Sequence, residues 1–426
     1  MSYSKDNSPS GKGAGGATND GGRVDGDDRD AEGIGEEQRA LLESLDRLLD
    51  RHLPVEAVRR LDDEHRPPLD LLPRLAEIGL MALAVPEEEG GLPAPAGGRQ
   101  ATLALVQECL GRRGMMAAVL YNRAVCFGIA SLRAGGSAAQ RREWLPRLIA
   151  GTASFALALT EPGAGSDAGA LVTRAQADGR GGWRITGRKT WTSGADTADR
   201  LVVAARTDPG SRGGRGVGLF LVPPDSAGIA MTPLDKIGNH ASRSFDIGFD
   251  GVVVADADRL GPADGGFGVL RQTLAAARLG LAAAVVGSAQ QAVDLACAHA
   301  VERHQFGRPV GAFQTIAHRL VDMRTEVDLA RLIVRDGARR IDAGAPAERI
   351  AAQAKLVATE TLQRVADRGM QILAGAGYAA ESDMQRIWRD ARLYTFGEGS
   401  SEILRDLIAR DLGVGAALSN QEEGRR

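Results

Sequence analysis

The chain predicts an α+β fold in three parts: an N-terminal helical domain, a middle antiparallel β domain and a C-terminal four-helix bundle. Three observations lead there. Apolar residues recur at helical spacing up to about residue 150. The period falls to two between about 153 and 262. Ala-rich helical segments with short connections then return and run to about 413. At 426 residues the chain has the length of about three domains.

Residues 1–35 are dominated by Gly, Ser and Asp. Such a segment offers too little apolar surface to offset its ordering entropy and is expected to be disordered. From Glu36 the pattern is helical, with Leu41, Leu42, Leu45, Leu48 and Leu49 on one face. Further helices are expected over 69–81, 101–111 and 138–149, punctuated by Gly90-Gly91 and Gly135-Gly136, so the N-terminal domain spans 36–152. The β domain is expected over 153–262. Leu201-Val202-Val203, Leu219 to Leu221, and Phe245, Ile247 and Phe249 read as short strands bounded by Gly, Pro and Asp. Thr186-Gly187 reads as a hairpin turn. The bundle is expected over 263–413, in helices at 270–302, 313–341, 346–374 and 383–413, with 414–426 as a flexible tail.

Composition excludes some functions. Hydrophobic residues make up 43% and charged residues 25% of the chain, and the net charge is −3. Nothing here attracts nucleic acid or an anionic membrane. Three cysteines (Cys109, Cys126, Cys297) without CxxC spacing suit free thiols in a reducing compartment. No uninterrupted apolar run reaches membrane-spanning length and no signal pattern opens the chain, so a cytoplasmic protein is expected. His299 and His304 do not share a helix face, and no metal site is expected. No Gly-x-Ser-x-Gly elbow supports an acyl hydrolase.

Five segments carry chemistry. Leu159-Thr160-Glu161-Pro162-Gly163-Ala164-Gly165-Ser166-Asp167 offers glycines for close backbone approach and two hydroxyls. Trp191-Thr192-Ser193 sets a flat aromatic beside two more hydroxyls. Just before it, Gly182 to Thr190 nearly matches a phosphate-binding loop but has Arg188 where lysine is required. Arg303, at the end of a helix, is a candidate pyrophosphate clamp. Gln371 to Gly377 permits another close approach. Tyr394-Thr395-Phe396-Gly397-Glu398-Gly399-Ser400-Ser401-Glu402 places one carboxylate, Glu398, between glycines.

In this order and separation the segments resemble the acyl-CoA dehydrogenase family of flavoenzymes over residues 36–413. The resemblance implies bound FAD, an acyl-CoA substrate and a homotetramer in which a neighbour completes the FAD site. It places Leu157, Leu159, Thr160 and Ser166 along the flavin, with Trp191, Thr192 and Ser193 covering the ring. Arg303, Gln305, Phe313 and Gln314 would reach the FAD of a partner subunit, and Gln371 to Gly375 its adenosine-diphosphate half. Ser400 and Glu402 would touch FAD beside the base. Ser166, Arg278 and Gly399 would lie along the acyl-CoA path. The implied reaction is α,β-desaturation: Glu398 takes the α-proton while the β-hydrogen passes as hydride to flavin N5, and electrons go on to an electron-transferring flavoprotein. Relatives with the base on another helix carry it just before the Arg matched by Arg278. Here that position is Ala277, which cannot take a proton. Gly397 stands where an aromatic is common, and Ala374 where glycine is usual. The same fold also serves oxidases, enoyl-thioester reductases and acyl groups on carrier proteins. A flavin-binding scaffold without catalysis is the reading from another class.

Overall fold

A computed structural model describes residues 34–415. The expected disordered segment 1–35 and the tail 414–426 lie outside the described residues, except for two positions at each inner end.

The N-terminal helices are α1 (Glu36–His52), α2 (Val55–Asp63), α3 (Leu71–Glu77), α4 (Arg99–Arg113), α5 (Met115–Asn122), α6 (Ser131–Gly135) and α7 (Ala138–Ile149), with a π-helical stretch at Arg123–Ala130 between α5 and α6. Glu36 and Glu37 in the first turn of α1 and Arg51 and His52 in its last complement the helix dipole. Leu42, Leu45 and Leu49 of its apolar face are buried. Ser137 and Gln140 cap α7 reciprocally: each side chain bonds the other's backbone N–H, at 3.2 and 2.8 Å.

The strands are β1 (Phe155–Ala158), β2 (Arg174–Ala177), β3 (Gly182–Ser193), β4 (Arg200–Arg206), β5 (Val217–Val222), β6 (Ile229–Leu234), β7 (Ser244–Ala255) and β8 (Arg259–Leu260). They form one sheet in the order β6-β7-β3-β2-β4-β5-β8, with β1 also on β4. Most pairs are antiparallel, as expected, but β4 runs parallel to β1 and touches β2 in parallel. The cause is the connection. After β1 the chain makes a long loop and the β2–β3 hairpin before returning as β4, a crossover that a tight turn could not supply. Both faces of β4 and β5 are buried. Val202, Ala204, Leu219 and Leu221 pack into the helical core, while Leu201, Val203, Ala205, Phe220 and Val222 pack inside the β domain. That double burial is why Leu201-Val202-Val203 reads as an unbroken apolar run.

The hairpin turn expected at Thr186-Gly187 is not there. β3 runs straight through it with a register shift between Ile185 and Gly187. A Cβ at Gly187 would come within 2.5 Å of Thr173 Oγ1, so the glycine marks a close approach inside a bulged strand. The turn lies earlier, where Asp178 Oδ1 accepts from the N–H of Arg180 and of Gly182.

The C-terminal helices are α8 (Gly266–Glu302), α9 (Gln314–Asp342), α10 (Ala347–Leu373), α11 (Gly375–Tyr378), α12 (Asp383–Tyr394) and α13 (Ser401–Asp411). A two-residue hairpin of β9 (His304–Gln305) and β10 (Arg308–Pro309) follows α8. Helices α8, α9 and α10 pack on one another, and α12 and α13 close the bundle against α10. The fourth expected helix, 383–413, is broken in two between Tyr394 and Ser401. Helix α4 also lies along α8. A Cβ at Gly111 would stand 1.9 Å from Ala284 O, and one at Gly287 1.9 Å from Glu108 O. The two backbones therefore touch, and the N-terminal domain is seated directly on the bundle. Met115–Gly135 and Gly266–Glu302 are apolar and long enough to cross a membrane by composition, but 83% and 72% of their most apolar windows are buried inside the protein.

Candidate active site

Glu398 sits in the break between α12 and α13. Its φ is 56° and that of Gly399 is 105°. A glutamate in the left-handed region costs on the order of 1 kcal/mol or more and persists only where surroundings impose it. Two buried cations do so. Arg278 Nε of α8 donates to Glu398 O at 2.9 Å, and Lys355 Nζ of α10 donates to Gly399 O at 2.7 Å. Arg278 is 7% exposed and Lys355 fully buried.

Further contacts fix the approach to this break. Asp383 of α12 takes both ends of the Arg59 guanidinium at 3.0 and 2.7 Å. Asp390 Oδ1 accepts the Asn239 N–H at 2.6 Å, and Tyr394 Oη donates to Asn239 Oδ1. Arg389 Nη2 reaches Asp62 at 2.8 Å. Helix α12 is thus tied to both the N-terminal and the β domain. Ser400 caps α13 by accepting the Ile403 N–H at 3.4 Å.

The Glu398 residue is half-buried, but its carboxyl oxygen Oε2 is buried and has no hydrogen-bond partner. Desolvation pushes the carboxyl up to about 6, against the opposing pull of Lys355 and Arg278. Lys355 is pushed down to about 8, chiefly by burial. Cys126, in the π-helical stretch, is held protonated by burial and by the Glu398 charge. It also lines a small cavity of about 70 Å³ walled by α4, α5, the π-helical stretch and α8. The arrangement is a desolvated carboxylate raised to about 6 on a clamped backbone, which suits abstraction of a weakly acidic C–H proton.

The β domain presents a second group. Trp191 has φ 56° and is 51% exposed. Next to it Thr192 is fully buried, and its Oγ1 has no partner. Ser193 Oγ lies 2.9 Å from Ser244 Oγ. Leu157 and Leu159 are half-buried, Thr160 is half-buried and Ser166 is exposed. A cleft of about 700 Å³ runs beside the α12–α13 break, bordered by Trp388, Arg392, Phe396, Ser401 and Glu402.

The remaining expected site residues lie elsewhere. Arg303 caps the far end of α8, roughly 36 Å along that helix from Arg278 at ~1.5 Å per residue. Gln305, Gln314 and Phe306 are exposed, Phe306 to 93%, and Phe306 meets Phe313 edge-on at 6.0 Å. Gln371 and Gly375 are exposed at the far end of α10, roughly 24 Å from Lys355 by the same rise. Arg303, Gln305, Phe313, Gln314, Gln371 and Gly375 therefore do not join Glu398 within one chain.

The residues 35–152, 156–252 and 264–413 match, respectively, the N-terminal, middle and C-terminal domains that define acyl-CoA dehydrogenases. The chain belongs to the acyl-CoA dehydrogenase family. It is 38% identical over 346 residues to the "probable acyl-CoA dehydrogenase YngJ" of Bacillus subtilis, covering 81% of this chain and 90% of the relative. It is 32% identical over 375 residues to the "caffeyl-CoA reductase-Etf complex subunit CarC" of Acetobacterium woodii, covering 88% and 97%. The solved structure of butyryl-CoA dehydrogenase from Megasphaera elsdenii superposes with a TM-score of 0.84 at 29% identity, covering 89% of this chain and 98% of that one. The protein is accordingly an oxidoreductase acting on CH–CH bonds, and acyl-CoA dehydrogenases are FAD-binding flavoproteins.

The residues present fit such a cofactor. A half-exposed Trp191 beside the orphaned Thr192 Oγ1 offers a stacking plane and an unused hydrogen bond in one place. Sequence reasoning missed Lys355 and the buried pair Lys189–Glu161. A signal existed for Lys355, a lone cation on the apolar face formed by Ala351, Ala354, Ala358 and Leu362 of α10. In the sequence Glu161 stands only as part of a glycine-rich motif. It accepts from Lys189 Nζ at 2.7 Å and from the Val172 and Thr173 N–H groups. It therefore anchors the loop that carries Thr160 and Ser166.

Ala374, at the C-cap of α10, adopts φ 51° and ψ −131°, a region that disfavours any side chain. Ala374→Gly should therefore raise stability by about 1 kcal/mol, the relief of strain exceeding the extra entropy of an unfolded glycine. A higher urea midpoint at unchanged m would register it, and a lower midpoint would refute the strain.

Proposed function

We propose that this protein desaturates a short acyl-CoA thioester at its α,β bond, with Glu398 as the base that removes the α-proton. The observation that carries the reading is the Glu398 carboxyl, its Oε2 buried without a partner and its pKa pushed up to about 6, on a backbone clamped by Arg278 and Lys355. The small cavity beside Cys126 has room for roughly five water molecules, which favours a short acyl group. In the proposed pose the Glu398 N–H polarises the thioester carbonyl, making the α C–H more acidic. Trp191, Thr192, Ser193, Leu157, Leu159, Thr160, Ser166, Ser400 and Glu402 would hold FAD. When bound, FAD supplies a two-electron acceptor for the β-hydrogen.

Arg303, Gln305, Phe313 and Gln314, with Gln371 and Gly375, would complete the cofactor site of a second copy, in a homotetramer. Their distance from Glu398 and the exposure of Phe306 support this, as does the exposed apolar stripe Val321, Leu329 and Leu332 on α9. An electron-transferring flavoprotein is the proposed acceptor, in line with the Etf complex named for the Acetobacterium relative.

That relative's name also favours a second reading, reduction of an enoyl-thioester. The same carboxyl, protonated, would then return a proton to the α-carbon. Anaerobic titration separates the two. Bleaching of oxidised flavin by saturated acyl-CoAs supports desaturation. Reoxidation of reduced flavin by enoyl-CoAs, without bleaching by the saturated partners, supports reduction. Neither change with any thioester defeats both.

The base must be ionised, so kcat/KM for desaturation should rise with pH through about 6 and level off above it. Lys355 lowers the Glu398 pKa, so Lys355→Met should carry that limb alkaline by about one unit or more. An unmoved limb would show that Lys355 does not act on Glu398.

A further inference from the structure

The cavity beside Cys126 is apolar for most of its wall, through Ala84, Leu103, Ala104, Val125, Ile129 and Leu279. Into it α4 places Gln107, 2% exposed. Gln107 Nε2 donates to Asn122 Oδ1 on α5. The Cys126 thiol donates to the same Oδ1 at 3.2 Å. With the Cys126 thiol donating, Asn122 turns its amide oxygen to the pair and Gln107 turns its amide nitrogen to Asn122. Gln107 Oε1 is left buried with no partner. Helix α8 makes room for this pair. A Cβ at Gly280 would stand 2.7 Å from Asn122 Oδ1 and 3.1 Å from Gln107 Nε2.

An unpaired buried acceptor in an otherwise apolar pocket is costly unless a ligand donates to it. The donor should be neutral. Arg133, also on the wall, is paired with Glu89 at 3.4 Å. A cationic tail would meet Arg133, and an ionised carboxylate has no proton to donate to Gln107 Oε1. Resting on the function proposed above, we propose that the acyl group carries a hydroxyl on its tail, which donates to Gln107 Oε1.

The test uses isosteric pairs in which a terminal hydroxyl replaces a terminal methyl: pentanoyl-CoA against 4-hydroxybutyryl-CoA, and hexanoyl-CoA against 5-hydroxypentanoyl-CoA. Both kcat/KM and calorimetric affinity are measured on the FAD-loaded enzyme. The hydroxyl member of at least one pair should be favoured by about 10- to 100-fold, the range for pairing a buried acceptor. In Gln107→Leu the preference should turn toward the methyl member. Gln107→Met serves as the second variant if leucine impairs folding. A wild-type preference for the methyl members, or a hydroxyl preference that survives both substitutions, overturns the proposal. Calorimetry decides the preference whether or not turnover occurs. Absence of turnover with every thioester would count against the desaturation reading alone.

Discussion

Glu398→Gln is expected to slow flavin bleaching by a saturated acyl-CoA by about 10²- to 10⁴-fold, the usual worth of a positioned general base. The substitution is close to isosteric. The clamps from Arg278 and Lys355 end on the backbone carbonyls of Glu398 and Gly399, not on the carboxyl. The left-handed turn and the cavity should therefore survive, and FAD should still bind. What is lost is the atom that takes the α-proton. Ala277 cannot replace it, and the nearby Cys126 thiol is held protonated. Rapid-mixing absorbance under anaerobic conditions measures the effect. A rate within a few-fold of wild type would place the base elsewhere.

Lys189→Met is expected to cost about 3–5 kcal/mol of stability, because it leaves the Glu161 carboxylate buried without its counter-charge. Lys189 is fully buried and Glu161 4% exposed. The ammonium also donates to Leu159 O at 2.9 Å. Burial pushes Lys189 down to about 8, still ionised at neutral pH, while Lys189 and the Thr173 and Val172 contacts hold the Glu161 carboxyl below its usual range. A carboxyl with a depressed folded pKa contributes stability above its unfolded pKa and loses it as pH falls through the folded value. Wild type should thus lose stability in acid, and Glu161→Gln should show a weaker loss. Urea unfolding gives the magnitude. The double variant Lys189→Met/Glu161→Gln should recover much of the single-variant loss, since it removes both charges together. Strict additivity of the two single losses would show that the pair is not coupled. Because Glu161 also holds the Val172 and Thr173 N–H groups, the variant should release FAD more readily as the loop bearing Thr160 and Ser166 loosens.

Much of this was legible in the chain. The leucines of α1, the Ala-rich faces of α8 and α10, the apolar runs of β4 and β5 and the alternation of β7 are local patterns, and each formed the expected element. The site was legible chiefly through short motifs. Glu398, Arg278 and Gly399 come together in the structure, as do Trp191, Thr192 and Ser193. Arg303, Gln305, Phe313, Gln314, Gln371 and Gly375 do not join them within one chain, because α8 and α10 are long helices whose two ends are far apart. The Thr186-Gly187 turn was misread because a glycine in a strand looks alike whether it turns the chain or admits a neighbour. The decision lay with Thr173, twelve or more positions away in sequence and adjacent in space.

The sequence by itself determined the helix–sheet–helix order, the apolar faces and the residue types available for chemistry, since those follow from period and composition. Only the tertiary structure decided that helix 383–413 breaks at Glu398, that Lys355 faces it, that Glu161 pairs with Lys189 and that Gln107 keeps an unused acceptor in the pocket. Each of these depends on burial and on contacts between distant segments. Desolvation and close approach set the energy of a charge or a strained backbone, and no local pattern encodes them.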